Sequence, residues 1–550
     1  MKKCPQCGRE YDLTMSFCLD DGSELLYGPA SMDEPQTAIL YDEARAGEQR
    51  TKIYDTPTAE PSARRRSLAA GAIGIVLVTV LGVGSYIYFG RGSTKQIGSI
   101  AVMPFVNEGG NAEIEYLSDG MTETLISSLT QLPDLDVKPR SAVFRYKGKE
   151  TDAQTVGKEL NVQAVLNGRV SQRAQDISLY VELIDAPLNR TIWSQTYTRK
   201  QADLVTLQAE IARDVSGKIK NRLTGAEESK VTKTYTTNPD AYQLYLKGNF
   251  YLAKYNEEGY KKALEYYNQA IAKDANYALA YHGIAVAYDF ANGFYLPPKE
   301  SEPKAKEAAL KALELDDTLA ETHFLLGKIV FWYEWDWRAA ERHWKRANEL
   351  DSAYPPTYPV YLSAQGRLDE AVKAQQSLQQ RSPLDLNMSL DLASILLAAG
   401  RYDQSIEQAR KALELDPNYW WSYQILGLAY ERKKQFPEAI AALEKARRAD
   451  VNPSSLGYLG YVYAAAGKKA EAEKVLVELQ ELTKQRHVPA YNVACVYAGL
   501  NDKDQAFKWL ELAYQERSFF MTVLKTETVL DNLRQDPRFK DLLRRMDLPE

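Results

Sequence analysis

Four residues near the start of the chain have the types and spacing to hold a metal ion. Cys4 and Cys7 are separated by two residues and followed by Gly8; eleven residues after Cys7, Cys18 begins a second unit that ends in Asp21 and Gly22. Thiolates at that spacing can face one tetrahedral ion, and the glycine lets the turn close so that backbone N–H groups point at sulfur. A structural zinc site takes four ligands and accepts carboxylate oxygen beside thiolate and imidazole. Cys4, Cys7 and Cys18 supply three, and Asp21 is in register for the fourth, with Asp20 beside it. No imidazole is near, because the first histidine is His282. A segment this small has almost no core, so one zinc ion per chain is what could fold residues 1–25 into a zinc-ribbon-like knuckle.

Two other readings of the knuckle stand beside zinc. One is a degenerate ribbon held by Phe17, Leu19 and Leu25; the other, a redox Cys-x-x-Cys, lacks the strand–helix setting it needs. Residues 1–25 carry three basic side chains against five acidic ones, so protein contact suits this head better than nucleic acid. The net charge of −6 over 550 residues gives no global pull toward nucleic acid either.

What positions such a head is a lipid-spanning segment. Residues 68–89, LAAGAIGIVLVTVLGVGSYIYF, run 22 positions without a charge. As a helix of about 33 Å they would cross a bilayer core. Tyr86 and Tyr88 sit near one end, Arg64, Arg65 and Arg66 abut the other, and Arg91 and Lys95 follow more sparsely. The positive-inside rule therefore predicts a single-pass helix over 67–90 in the inner (cytoplasmic) membrane, with the N-terminus cytoplasmic and the bulk extracytoplasmic, periplasmic where there are two membranes. The segment lies too deep and is too long for a cleaved signal peptide. A buried core helix is the bland alternative. Residues 26–66, rich in Pro, Gly, Thr and acids, read as a disordered cytoplasmic linker. Ala70-xxx-Gly74 offers a small-residue face for homo-oligomerisation.

Residues 96–225 alternate strand and helix patterns and predict one α/β domain. IGSIAVMPF (97–105) reads as a buried strand stopped by Pro104, and a helical stripe of Leu117, Met121, Leu125, Ile126 and Leu129 follows. Asp119-Gly120 is expected to open that helix, and Asp185 to end a strand. "IAVMPFVN", "YLSDGMTETLISSL", "RSAVFRYKGK", "VLNGRV" and "LIDAPLNRTIWSQTY" occur here in order. Together they resemble the TolB amino-terminal-like (FlgO-type) domain. That resemblance implies an envelope-side interaction domain without chemistry, set between a membrane helix and tetratricopeptide repeats. In the family the upstream module is a kinase, a nucleotide cyclase or a winged-helix regulator, and the 66 residues ahead of the span are too few for any of these.

From residue 238 to 550 a period of about 34 residues dominates, with Trp420–Pro453 the cleanest copy. Helical pairs whose small residues (Gly427, Ala439) sit under large ones (Tyr430, Phe436) predict an all-α tetratricopeptide-repeat solenoid of about eight pairs, closed by a polar capping helix near 536–548. First helices of such solenoids line the concave face. The positions expected to project into it are Trp421, Gln424, Leu428, Glu431 and Arg432, and elsewhere Phe324, Lys328, Phe331, Trp332, Tyr461 and Tyr491. Seven of the eight tryptophans fall between Trp332 and Trp509, which suits a protein or peptide partner, although aromatics also pack repeats together. No phosphate loop, HExxH, GxSxG, HRD or DFG motif occurs, so no catalytic residue is expected.

The sequence thus predicts a multidomain, non-enzymatic, membrane-anchored scaffold or sensor. The alternative is a regulatory membrane protein of the cyclase, kinase or transcription-regulator class, whose cytoplasmic ribbon contacts an effector or nucleic acid.

Overall fold

A short apolar run that ends at a proline makes a central strand, and a sheet grows on both sides of it. The computed structural model describes residues 2–3, 10–11 and 97–549, apart from 112–113, 174, 221–222, 294, 382–384 and 451. Cys4, Cys7, Cys18 and Asp21, the linker 26–66 and the span 67–90 lie outside the described residues. Among the described residues no helix is long and apolar enough to cross a membrane, and no group of three or more metal-ligating side chains occurs. At the N-terminus β1 (Lys2–Lys3) pairs antiparallel with β2 (Glu10–Tyr11), Lys2 opposite Tyr11 and Lys3 opposite Glu10.

The described residues from 97 on belong to a second unit. In β3 (Ser99–Val102), Ile100, Ala101 and Val102 are fully buried, as befits a strand covered on both faces. It pairs in parallel with β5 (Asp136–Val137) and β6 (Ala164–Arg173), and β6 also pairs with the short β4 (Val106–Asn107). An antiparallel meander continues through β7 (Asp176–Asp185) and β8 (Arg190–Lys200), giving the order β5-β3-β6-β7-β8. Three helices join the sheet: α1 (Glu115–Thr130), α2 (Ala153–Leu160) and α3 (Leu204–Ile219). Asp152 caps α2 by accepting the Thr155 N–H.

Asp119 does not open a helix. It lies in the second turn of α1, 6% exposed, and is bound by Lys147 at 2.6 Å; the helix begins four residues earlier. Its neighbour Gly120 has a packing role. A Cβ there would sit 2.7 Å from Leu246, so only glycine lets α1 seat on the first repeat helix.

The repeat region holds eight helical pairs among the described residues: α4 (Pro239–Leu252) with α5 (Glu257–Lys273), α6 (Ala278–Ala291) with α7 (Pro298–Leu315), α8 (Ala320–Ile329) with α9 (Trp337–Leu350), α10 (Pro359–Ala364) with α11 (Leu368–Arg381), α12 (Leu386–Ala398) with α13 (Tyr402–Leu415), α14 (Trp420–Arg432) with α15 (Phe436–Ala449), α16 (Pro453–Ala465) with α17 (Lys469–Leu482), and α18 (Ala490–Gly499) with α19 (Lys503–Gln515). Within a pair, a glycine on the first helix admits a large side chain from the second. Trp344 of α9 is fully buried against Gly327 of α8, where a Cβ would lie 2.4 Å from the indole nitrogen.

After α19 the chain leaves the repeat pattern. Two 3₁₀ turns, Phe519–Val523 and Thr528–Leu533, precede α20 (Pro537–Arg545). Phe539, Leu542 and Leu543 of α20 are buried, while Arg538 and Arg545 bond Asp504 and Glu511 of α19. The chain end also returns to the middle repeats. The Trp337 indole N–H donates to the Met546 carbonyl at 2.8 Å, and Arg517 lies 4.4 Å over the Trp335 ring. Repeats far apart in sequence are thereby joined through the C-terminal segment.

Candidate ligand-binding cavity

First helices at a fixed register bring their inner positions to one place. Lys328, Ser394 and Leu428 are each the ninth residue of their helix, α8, α12 and α14, and all three face one cavity. The cavity encloses about 460 Å³. Its walls come from α6, α8, α10, α12, α14 and α16, and its remaining side from residues 519–528. A π-helical turn, Val330–Glu334, interrupts the end of α8 and carries Trp332 on the wall; such turns are rare and recur at binding sites.

The apolar lining holds six aromatic side chains, Trp332, Tyr358, Trp421, Tyr458, Phe519 and Phe520, beside aliphatic ones such as Ile395 and Leu428. The polar lining includes three carboxylates, Asp289, Asp391 and Glu527, and one ammonium, Lys328. Asp289 of α6 pairs with Lys328 at 3.2 Å, and this aspartate is the main cause of the upward shift of the lysine ammonium. Burial pushes the Asp391 carboxyl up to about 7, Asp385 adds to the rise and Lys328 opposes it. Burial also raises Glu527, opposed by the Tyr458 hydroxyl that donates to it at 2.9 Å. Behind Asp289 and Lys328, Glu302 is fully buried with neither carboxylate oxygen hydrogen-bonded among the described residues, and burial raises its carboxyl well above the usual range. An acid kept neutral tolerates such a place, which a charge would not.

Of the eleven side chains expected in the groove, Lys328, Trp332, Trp421, Gln424 and Leu428 line this cavity. The other six are placed elsewhere. Phe331 is fully buried among Trp332, Trp337, Trp344 and Tyr358, and Phe324 packs on Tyr354 and Tyr358. Arg432, Tyr461 and Tyr491 meet the C-terminal segment, and Glu431 is buried beside Lys434. Arg432 donates to the Thr528 carbonyl and pairs with Asp531 at 2.8 Å; Tyr491 stacks on Phe520 at 5.1 Å and is fully buried. Tyr461 is 9% exposed and feels Glu431, Arg432, Asp531 and Glu527; Glu431 is 1% exposed. This stretch of the concave face is occupied by the chain itself.

Asp289, Asp391 and Glu527 were not among the expected residues. For Asp391 a signal exists: it stands 34 residues before Ile425, an acid where the next copy carries an apolar side chain. Glu527 belongs to the segment outside the repeat register, and no periodicity points to it.

Comparison with known proteins fits this architecture. A family model described as HilA/YgeH-like transcriptional regulator, second domain, matches residues 95–214, and two tetratricopeptide-repeat models match 361–419 and 396–456. The chain is similar to "Putative adenylate cyclase 3" of Rhizobium meliloti (strain 1021), 28% identical over 236 residues, which are 42% of this chain and 40% of that protein. It is also similar to the TPR repeat-containing protein YpiA of Bacillus subtilis (strain 168), 28% identical over 159 residues, 29% of this chain and 37% of that one. The chain therefore spans about two fifths of the length of these relatives. Among solved structures, the APC/C hetero-tetramer Cut9–Hcn1 matches at 14% identity with a TM-score of 0.34, over 62% of this chain and 74% of that one. Residues from Pro239 on form a tetratricopeptide-repeat solenoid, preceded by a small sheet domain.

Proposed function

We propose that this protein is a non-enzymatic, membrane-anchored interaction scaffold with a regulatory output. Its repeats receive a ligand or partner outside the cytoplasm, and a zinc-bearing head inside the cell meets an effector protein. The observation that carries this reading is the joint between the sheet domain and the repeats. Gly120 seats α1 on Leu246, Tyr242 bonds Gln208 of α3, and the Ser141 hydroxyl donates to Asp385 at 2.7 Å. A domain fixed this way to its repeats can carry an event in the solenoid toward the membrane-proximal end without a flexible linker to lose it. The regulatory setting is favoured by the HilA/YgeH-like match and by the name of the cyclase relative.

Zinc rests on Cys4, Cys7, Cys18 and Asp21, and the strand pairing of the flanks, Lys2–Lys3 with Glu10–Tyr11, is what a closed knuckle requires. Metal analysis of the purified full chain is expected to give one zinc, lost in Cys18→Ser and retained in Asp21→Cys. Affinity purification from membranes tests the scaffold. Recovery of an extracytoplasmic protein that depends on the repeats supports it, whereas DNA or a polymerase subunit recovered through the head alone favours a transcription regulator. Protease added to spheroplasts is expected to digest residues 92–550 and spare the head; protection of the repeats reverses the proposed orientation.

A further inference from the structure

The cavity among the first helices of the solenoid is a formed site whose lining specifies a ligand more narrowly than a scaffold requires. Three carboxylates, Asp289, Asp391 and Glu527, face it against one ammonium, Lys328, and Asp289 already engages that ammonium. No hydrogen bond holds Asp391 among the described residues; Asp385 and Lys328 act on it only through space. The Asn292 side-chain carbonyl is buried there and receives no donor among the described residues. Gln424, 6% exposed, accepts the Ser454 and Ser455 hydroxyls at 3.1 and 3.2 Å through its oxygen and lines the cavity with the rest of its amide.

A wall on which Asp391 and the Asn292 carbonyl receive no donor among the described residues, with aromatic side chains beside them, is matched by a cation. Trp332 and Trp421 line the cavity, indole rings attract ammonium groups, and an unpaired carboxylate is relieved by N–H donors. An anionic ligand would bring a further charge against Asp391 and Glu527, and the one ammonium is already engaged by Asp289. The volume of about 460 Å³ falls in the range of small-molecule sites, and residues 519–528 contribute Phe519, Phe520 and Glu527 to its wall. We infer that the solenoid cavity binds a small organic ammonium compound. Asp391 and Asn292 take its N–H groups, Trp332 and Trp421 its apolar body, and Gln424 an oxygen substituent. This rests on the reading of the solenoid as the receiving part of the scaffold.

The test is calorimetry on the full chain in detergent or nanodiscs, with tyramine as probe against two shape-matched controls, 4-ethylphenol (neutral) and 3-(4-hydroxyphenyl)propionate (anionic). Tyramine is expected to bind at least about tenfold more tightly than either control, a difference of the size that a desolvated cation on aromatic rings supplies. Asp391→Asn and Trp421→Leu should each weaken it by about tenfold, and the exposed Glu314→Gln on α7 should leave it unchanged. Equal binding of tyramine and 4-ethylphenol overturns the charge assignment. Tighter binding of a capped lysine amide than of tyramine overturns the small-molecule assignment in favour of a side chain from a partner protein. Absence of tyramine binding in a chain that still recovers its partner through the repeats overturns this inference alone, so its failure is separable from failure of the scaffold.

Discussion

Two clusters of charged side chains within the same unit are built to opposite rules. In the sheet domain Lys147 bridges two carboxylates, Glu115 at 2.7 Å and Asp119 at 2.6 Å, and Glu115 also takes the Asn107 amide at 3.0 Å. Burial pushes Glu115 up but is outweighed by these donors, so its carboxyl sits below the usual value. In the solenoid Lys328 meets Asp289 alone, at a longer 3.2 Å, while Asp391 and Glu302 hold no hydrogen bond among the described residues. The composition is similar, acids in excess over one lysine, but the satisfaction is not. The first cluster ties the segment at 115–119 to that at 147 and reads as structure. The second keeps acceptors in reserve, which costs stability and pays only if something arrives to use them.

The contrast is broken most easily by removing each lysine. Lys147→Met leaves the nearly buried Asp119 facing Glu115 with only the through-space charge of Arg140, and should cost about 2 kcal/mol in urea unfolding at pH 7. Lys328→Met should cost about 1 kcal/mol or less, because its carboxylates border a cavity where they can take up a proton or meet water. Equal losses in the two variants would remove the distinction between a satisfied and an expectant cluster.

A smaller effect sharpens the role of the closing segment. Arg432 donates to the Thr528 carbonyl at 3.3 Å and pairs with Asp531 at 2.8 Å, holding the segment that presents Glu527 to the cavity. Arg432→Met should loosen residues 519–533 by about 1–2 kcal/mol, read as faster amide exchange there with little change in α1 or β6. Unchanged exchange in the segment would mean that apolar contacts such as Phe520 on Tyr491 hold it without the arginine.

Much of this architecture was legible because it repeats or alternates. The 34-residue register placed Lys328, Trp421, Gln424 and Leu428 on the inner faces of first helices, and the alternation of strands placed the sheet. What escaped belongs to contacts between residues far apart in the chain. The segment after α19 follows no period, so nothing in its sequence tells that it returns to cover Tyr461 and Tyr491 or that Met546 accepts from Trp337, 209 residues away. Asp119 escaped for a related reason. A local rule put it at a helix start, and Lys147, 28 residues on, bound it within the helix instead.

The smallest expected effect is also the one that separates stability from function most directly. Asp391 has its carboxyl raised by burial to about 7, against 3.8 for an ordinary aspartate. Below about pH 4 it is protonated in both folded and unfolded chains and costs nothing. Between those values the unfolded chain loses its proton first, so folding becomes less favourable as pH rises, and the penalty is complete above pH 7. Asp391→Asn removes it. After allowance for the water that reaches the cavity, the variant should be more stable than the parent by about 1 kcal/mol at pH 8 and no different at pH 4, measured by thermal unfolding across that range. A residue whose replacement stabilises the fold is not kept there by folding; the same substitution that raises the melting temperature at pH 8 should weaken tyramine binding. A variant that loses stability at pH 8 would instead make Asp391 a structural partner of Lys328 and dissolve the difference between the two clusters.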